Sequence, residues 1–190
     1  MKFDKLLHLR RWARNEIKLI FTISLIYTSL CTNGQIIKTK LDLVAGISAR
    51  EFIHGGLRYQ YTDITQLGIY YGVGLGSDPS TSVRTYSVDN MIHFGKQSYH
   101  SNRPVWYARQ GFTYDINKEN DRVKKREFSY IDIALGREFN IKDWLGVNLD
   151  MGFIMQIREK RELKDPGSDP IYDNSIYWLP LARVQVFFSL

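Results

Sequence analysis

Cysteine is almost missing from this chain, in which Cys31 is the one cysteine among 190 residues. It ends an uncharged run, 19–31, that follows a basic segment, 1–18, and this is the layout of a secretion signal. Cleavage after Gly34 would remove Cys31, so the mature chain would have neither a disulfide nor a reactive thiol. Leu30 precedes Cys31 where lipid attachment requires a small residue, and we therefore favour cleavage over a lipoprotein.

Long apolar runs are missing as well. The 13 residues of the run 19–31 fall short of the roughly 20 that a membrane-spanning helix requires, which favours a cleaved signal over a permanent anchor. No segment of 35–190 has enough consecutive apolar residues to cross a bilayer as a helix. A membrane protein of this kind must be a closed β-barrel, because every backbone polar group in the hydrocarbon needs an internal partner. We predict a signal peptide at 1–34 and one domain at 35–190.

A large net positive charge is also missing from the part that we expect to be exported. The first 18 residues hold six cationic side chains and two carboxylates, and thus account for four of the six net positive charges. The exported part keeps a charge of about +2, which does not indicate a nucleic-acid partner.

The sequence is rich in segments where apolar and polar residues alternate. In 145–157 every odd position is apolar, while the even positions are mainly Gly, Asn, Asp and Gln. A period of two places the apolar set on one face of a β-strand. At about 3.3 Å per residue the stretch spans roughly 40 Å, which suits a strand tilted across a membrane. The same alternation predicts eight strands in all, at 41–48, 53–61, 66–75, 84–94, 105–116, 130–136, 145–157 and 178–190.

The predicted connections differ in length. Thr62–Thr65 and Asn140–Trp144 are short, whereas 76–83, 117–127 and 159–177 are long and polar. Short turns at one end and long loops at the other are typical of outer-membrane barrels with both termini in the periplasm. Two connections depart from this pattern, because 49–52 is tight for an outer loop and 95–104 is long for a periplasmic turn.

A soluble barrel or sandwich would alternate in the same way, with its apolar side chains inward and its polar side chains in water. Here the polar face is rich in glycine and has scattered single charges, which suits a narrow lumen better than a solvated exterior. We predict an all-β fold, an eight-stranded antiparallel up-and-down transmembrane β-barrel preceded by the signal peptide.

The last strand carries the most specific motif, Val184–Leu190, with alternating apolar residues up to the end of the sequence. It resembles the C-terminal signal that the barrel-assembly machinery reads, although that signal usually ends in Phe or Trp and here Phe188 is followed by Ser189 and Leu190. The chain is thus similar to small eight-stranded outer-membrane β-barrels of Gram-negative bacteria, of the type common in Bacteroidetes. The resemblance implies this fold, the outer membrane and insertion by that machinery; it implies no activity.

Charged residues on the predicted inner face are the candidate site. They are Asp42, Arg58, Asp89, Arg109, Asp132, Asp150 and Arg183. Eight strands enclose a space that side chains can fill. Because charges in a low dielectric need partners, we expect a lumen plugged by ion pairs, with Asp150 and Arg183 at mid-height on neighbouring strands. The alternative is a polar path for a small solute.

Catalytic and cofactor motifs are weak. His100–Asn102 resembles part of a lipid A deacylase motif, but His100 and Ser101 are adjacent and would face opposite sides of a strand. His54 and His93 have no Cys or His at metal-ligand spacing, and Gly72–Gly76 lies in a strand and does not open a helix. We expect no catalytic residues, no metal and no cofactor.

The expected partners follow from the membrane assignment. The basic segments 122–126 and 158–161 could meet lipopolysaccharide phosphates, although acidic neighbours dilute both. Trp106, Trp144 and Trp178 are placed for aromatic girdles, with core packing as an equal alternative for Trp106. We expect contacts with outer-membrane lipid, the barrel-assembly machinery and an envelope protein partner. The predicted role is structural or interactive and not enzymatic; the alternatives are a small-solute channel and a lipid A-modifying enzyme.

Overall fold

The structure, a computed structural model, describes residues 41–49, 53–75, 82–118, 123–163 and 169–190. The predicted signal peptide at 1–34 lies outside these ranges and stays a prediction. Across the described ranges, no helix is long and apolar enough to cross a membrane.

Antiparallel strands form the whole described fold. Their bounds are β1 Leu41–Ser48, β2 Ile53–Gln60, β3 Thr65–Leu75, β4 Ser82–Ser98, β5 Ser101–Lys118, β6 Val123–Lys142, β7 Leu145–Leu163, β8 Ile171–Asp173 and β9 Tyr177–Ser189. Each strand from β1 to β7 pairs with the next, β7 also pairs with β9, and β9 pairs with β1, which closes a ring of eight strands. The predicted all-β, eight-stranded, up-and-down architecture is confirmed. The short β8 lies outside the ring and pairs with β7 at Glu159–Arg161.

The two faces of the strands differ sharply in exposure. On β7 the outward Met151 and Phe153 are 72% and 61% exposed, whereas the inward Asn148 and Asp150 are 0% and 2% exposed. The period of two sends alternate side chains to opposite faces of the sheet, so the same pattern recurs on the other strands. The barrel is therefore apolar outside and polar inside, which is the reverse of a soluble barrel.

The two ends of the ring also differ. One end, which we call the turn end, has the connections at 61–64, 99–100 and 143–144. The other, the loop end, has the connections at 49–52, 76–81, 119–122 and 164–176. At the turn end the amide of Tyr61 donates to the carbonyl of Thr65 at 3.2 Å, which closes the β2–β3 hairpin.

The predicted loop lengths were wrong in several places. The segment 117–127 is not a long loop, because β5 continues to Lys118 and β6 begins at Val123. Strand β7 runs on to Leu163, six residues past the predicted end, and the predicted loop that follows it contains β8. These segments are polar on both faces and give no alternation signal, but the backbone ladder continues through them because its hydrogen bonds need no apolar face.

The predicted long turn at 95–104 was also wrong. Here β4 and β5 continue as a hairpin that reverses at Tyr99–His100. The pairing register shifts after Phe94, where Gly95 has a φ of 87°, a value that other residues rarely adopt. The extra residue of this β-bulge lies on the first strand of the hairpin. In the second strand Arg103 is buried, with the same parity as the inward Tyr107 and Arg109.

Three interior glycines lie against aromatic rings. A Cβ atom on Gly68 would collide with the ring of Tyr70, one on Gly136 with the ring of Tyr107, and one on Gly146 with the ring of Phe187. These large rings therefore lie flat against the barrel wall, and the glycines allow the narrow lumen to hold them.

Replacing Gly136 with Ala is expected to lower the free energy of unfolding by about 1–3 kcal/mol, because the added methyl overpacks the wall against Tyr107. The ring has little freedom to move aside, since its hydroxyl donates to Asp150 at 3.2 Å. Urea unfolding in detergent measures the change. Gly55→Ala is the matched control: its Cβ would lie outside with Val44 O at 3.6 Å, and an equal loss there would contradict the explanation.

Candidate functional site

Five charged side chains meet inside the barrel at mid-height, and we call them the central cluster. Arg109 on β5 contacts Asp132 on β6, Asp150 on β7 at 3.1 Å and Asp89 on β4 at 3.5 Å. Arg183 on β9 contacts Asp89 at 2.6 Å and Asp150 at 3.0 Å. All five are at most 5% exposed. The cluster therefore connects β4, β5, β6, β7 and β9 across the lumen, with three carboxylates around two guanidinium groups.

Neutral side chains complete this cluster. The hydroxyl of Tyr107 donates to Asp150 at 3.2 Å, and that of Thr113 donates to Asp132 at 3.3 Å. The guanidinium of Arg183 lies 5.4 Å from the ring centre of Tyr70. Buried carboxylates are stable only when such partners surround them.

A second group, the turn-end cluster, lies between the central cluster and the turn end. Arg103 donates to Asp42 at 2.9 Å and to Glu138 at 3.2 Å. The Nε of Arg58 lies 3.6 Å from Asp42. These four side chains are at most 3% exposed, and their two positive and two negative charges balance.

An aromatic ring holds the two arginines of the turn-end cluster. The guanidinium groups of Arg58 and Arg103 lie 5.2 Å and 5.5 Å from the ring centre of Phe187, which is 1% exposed. Asp42 also accepts hydrogen bonds from Gln66 at 3.1 Å and from Ser189 at 2.6 Å. With ion pairs around a packed ring, this cluster blocks the lumen at the turn end.

The remaining space lies toward the loop end. A cavity of about 20 Å³ beside Asp132 and Thr113 has room for a single water molecule. Beyond it, a wider cavity of about 290 Å³ is lined by residues that include Val83, Tyr130 and Leu179. This wider space is a vestibule that narrows at the central cluster. From that cluster to the turn end, the described side chains close the interior.

Solved structures provide the comparison. The N-terminal β-barrel domain of Pseudomonas aeruginosa OprF matches with a TM-score of 0.50 and 16% identity over 80% of this chain and 97% of that one. The fold is that of an outer-membrane β-barrel domain. Acinetobacter baumannii CarO matches with a TM-score of 0.45 and 13% identity over 82% of this chain and 99% of that one. No protein-family model and no curated protein sequence matches the chain.

The barrel divides the seven predicted interior residues between the two clusters. Asp89, Arg109, Asp132, Asp150 and Arg183 form the central cluster, whereas Asp42 and Arg58 belong to the turn-end cluster. Asp150 and Arg183 are directly opposite each other in the β7–β9 register. This agrees with their predicted positions on neighbouring strands.

Sequence reasoning missed Arg103 and Glu138. Glu138 continues the inward set of β6 just two residues past the predicted strand end at 136, so extending the alternation would have found it. Arg103 has the same parity as the inward Tyr107 and Arg109 of β5 and lies two residues before the predicted strand start at 105, so extending the alternation in that direction would have found it too.

The three histidines of the described ranges serve structural contacts. His93 lies 2.9 Å from both the carbonyl oxygen of Pro104 and the Oε1 of Gln66, which ties the β4–β5 hairpin to β3. His54 is buried, with its Nε2 2.9 Å from the amide nitrogen of Gln185. His100 lies in the hairpin turn, with Nδ1 3.1 Å from Asp143 on the neighbouring turn. Within the described ranges, no group of three or more His, Cys, Asp or Glu side chains is placed to hold a metal ion.

The two basic segments lie on the strand extensions at the loop end, where acidic residues neutralise them. The hydrogen bond from Lys125 lowers the pKa of the Glu127 carboxyl, and Lys160, donating at 2.6 Å, lowers that of Glu162. Arg161 pairs with Glu159. The guanidinium of Arg158 lies 4.8 Å from the ring centre of Tyr172 on β8. The described side chains therefore form a mixed-charge surface and not a basic patch. Residue 122 and the side chain of residue 124 lie outside the description.

The three tryptophans of the described ranges lie on the outer surface. Trp106, Trp144 and Trp178 are 44%, 49% and 61% exposed, so Trp106 does not pack in the interior. Trp144, in the β6–β7 turn, stacks on Phe188 with ring centres 6.1 Å apart. Exposed aromatic rings near the ends of the strands are what the girdles of a membrane barrel require.

Proposed function

We propose that the protein is an integral outer-membrane β-barrel with a structural or interaction role and no catalytic activity. The observation that carries this proposal is the combination of an apolar exterior with an interior closed by two charged clusters. An apolar outer face is stable in lipid and not in water, and every strand of the ring has two neighbours, so no edge is left unpaired in the bilayer.

The closed interior favours a structural role over conduction. A solute entering from the vestibule would meet the arginine–carboxylate contacts of the central cluster and then those of the turn-end cluster. Passage would require buried ion pairs of both clusters to open in turn, and charges that are buried without their partners are costly. The central arginines instead hold carboxylates of three strands together.

We further propose that the turn end faces the periplasm and that the loop end faces outward. Short periplasmic turns and longer outer connections are the rule in this class of barrel. The mixed-charge strand extensions and β8 would then be available to lipopolysaccharide or to an envelope protein partner. Insertion by the barrel-assembly machinery and a place among the small barrels of the Bacteroidetes type belong to the same proposal, supported by the resemblance of the sequence.

Fractionation and gel migration test the membrane location. We expect the protein in the outer-membrane fraction, and we expect the folded form to migrate differently before and after heating in detergent, because the paired ring resists unfolding by detergent alone. A soluble periplasmic protein with no change on heating would overturn the membrane barrel.

Conductance in a planar bilayer tests the closed lumen. The purified barrel is expected to insert without producing discrete conductance steps, because charged contacts fill its interior from the middle to the turn end. Regular steps from the unmodified protein would favour the channel alternative. Altered lipid A in mass spectra after deletion of the gene would favour the lipid-modifying alternative.

A further inference from the structure

Arg137 is a cation on the lipid-facing side of the barrel. It lies on β6 in the outward set, between Leu135 and Phe139, and is exposed. Its guanidinium lies 5.3 Å from the ring centre of Trp106 and 5.0 Å from that of Phe139. Two aromatic contacts hold the group on the outer surface and restrict its orientation.

No carboxylate among the described residues pairs with Arg137. In the strand register its neighbours are Trp106 on β5 and Leu149 on β7, both exposed on the outer face. The other outward positions nearby, Leu135 and Phe139, are also large and apolar. Arg137 thus lies on an apolar surface, and no described carboxylate pairs with it.

The position of Arg137 suits a membrane interface. It lies five residues before the end of β6 at the turn end and four residues from the register level of Phe188, and its guanidinium lies over Phe139, the next outward residue toward the turn end. Lys142, at the end of the same strand, has its Nζ 5.3 Å from the ring centre of Trp144. Aromatic rings with basic side chains are typical of the level of lipid headgroups, where charged atoms can reach phosphates.

We propose that Arg137, held by Trp106 and Phe139, binds the phosphate of an anionic glycerophospholipid in the leaflet at the turn end. The inference rests on the proposed function, because it requires the barrel to lie in a membrane. The aromatic contacts leave the guanidinium N–H groups without a carboxylate partner among the described residues, and the planar fork of an arginine matches two phosphate oxygens. Lys142 adds a second positive charge at the same end, which favours an anionic headgroup over a zwitterionic one.

Native mass spectrometry tests this site. The full chain, folded in detergent micelles doped with either phosphatidylglycerol or phosphatidylcholine, is expected to retain a phosphatidylglycerol molecule in preference to phosphatidylcholine. In Arg137→Gln, the retained fraction should correspond to an affinity for phosphatidylglycerol roughly fivefold lower, since one basic side chain near a membrane surface supplies about that factor. Arg137→Lys keeps the charge but loses the planar fork, and should give an intermediate value.

Arg84→Gln is the matched control. Arg84 is also an exposed, outward arginine, but it lies on β4 near the loop end, next to Val73 and Ile116 in the register. The site is overturned if Arg137→Gln retains as much phosphatidylglycerol as the unmodified chain, or if Arg84→Gln loses as much as Arg137→Gln. Heat-modifiable migration of each variant shows that the barrel is folded.

Failure of the proposed function gives a different result. If the chain were not a membrane barrel, the unmodified protein would fail to insert into vesicles of phosphatidylcholine with or without phosphatidylglycerol. That outcome would overturn the lipid site together with the membrane location. Insertion into both kinds of vesicle without any preference in the mass spectra would overturn the lipid site alone.

Discussion

Replacing Arg109 with Met is expected to lower the free energy of unfolding by about 3–5 kcal/mol, the usual cost of removing one member of a buried ion pair. Arg109 contacts Asp89, Asp132 and Asp150, and the one other arginine of the central cluster is Arg183. Its removal leaves three buried carboxylates around a single guanidinium. Urea unfolding of the folded barrel, followed by tryptophan fluorescence, measures the change from the midpoint and the slope.

Two further variants distinguish the loss of the buried ion pairs from a destabilisation that any arginine substitution would cause. Arg84→Met removes an exposed arginine from the outer face and should change the stability by no more than about 0.5 kcal/mol. Arg109→Met combined with Asp132→Asn should recover part of the loss, because the described ion-pair contact of Asp132 is with Arg109. A loss below about 1 kcal/mol in the single variant would contradict a stabilising role for the central cluster.

Alternation in the sequence was sufficient to place the ring strands and their faces. A β-strand has a period of two, so one correctly placed residue assigns the facing of the whole strand. For this reason Asp132, Asp150 and Arg183 could be assigned to the inner face without knowledge of their partners. The same alternation placed Asp150 and Arg183 on neighbouring strands. Contacts across the lumen could not be derived in this way, because Asp89 and Arg183 come together from β4 and β9, strands that are not neighbours in the ring.

Strand ends were the less predictable part of the fold. Outside the apolar band a strand can be polar on both faces, and the alternation then disappears while the backbone pairing continues. Strands β6 and β7 therefore extend through the segments Val123–Phe128 and Arg158–Leu163, which composition alone describes as loops. Arg103 illustrates the consequence for the site, because it lies before the predicted start of the fifth strand at 105, and only the extension of β5 to Ser101 assigns it to the inward set.

Replacing Arg103 with Met is expected to lower the free energy of unfolding by about 3–5 kcal/mol, because it leaves Glu138 buried without its ion-pair partner. Asp42 would keep Arg58, Gln66 and Ser189, so the unpaired charge falls on Glu138. In the same urea titration, Glu138→Leu alone should also be destabilising, since Arg103 would lose one of its two carboxylates. The double variant Arg103→Met, Glu138→Leu should lose less than the two single losses added together, because both charges leave the lumen at once.

The coupling between the two positions is the decisive quantity. A favourable coupling of about 1–3 kcal/mol is expected for side chains in direct contact, since each single variant destroys the same interaction. Additive losses would mean that Arg103 and Glu138 act independently, and the turn-end cluster would then not close the barrel as a unit. Conductance gives a second measurement, because the double variant removes two charged side chains from the turn-end plug. With the central cluster intact, this variant should remain non-conducting, and steps appearing in it would identify the turn-end cluster as the main barrier.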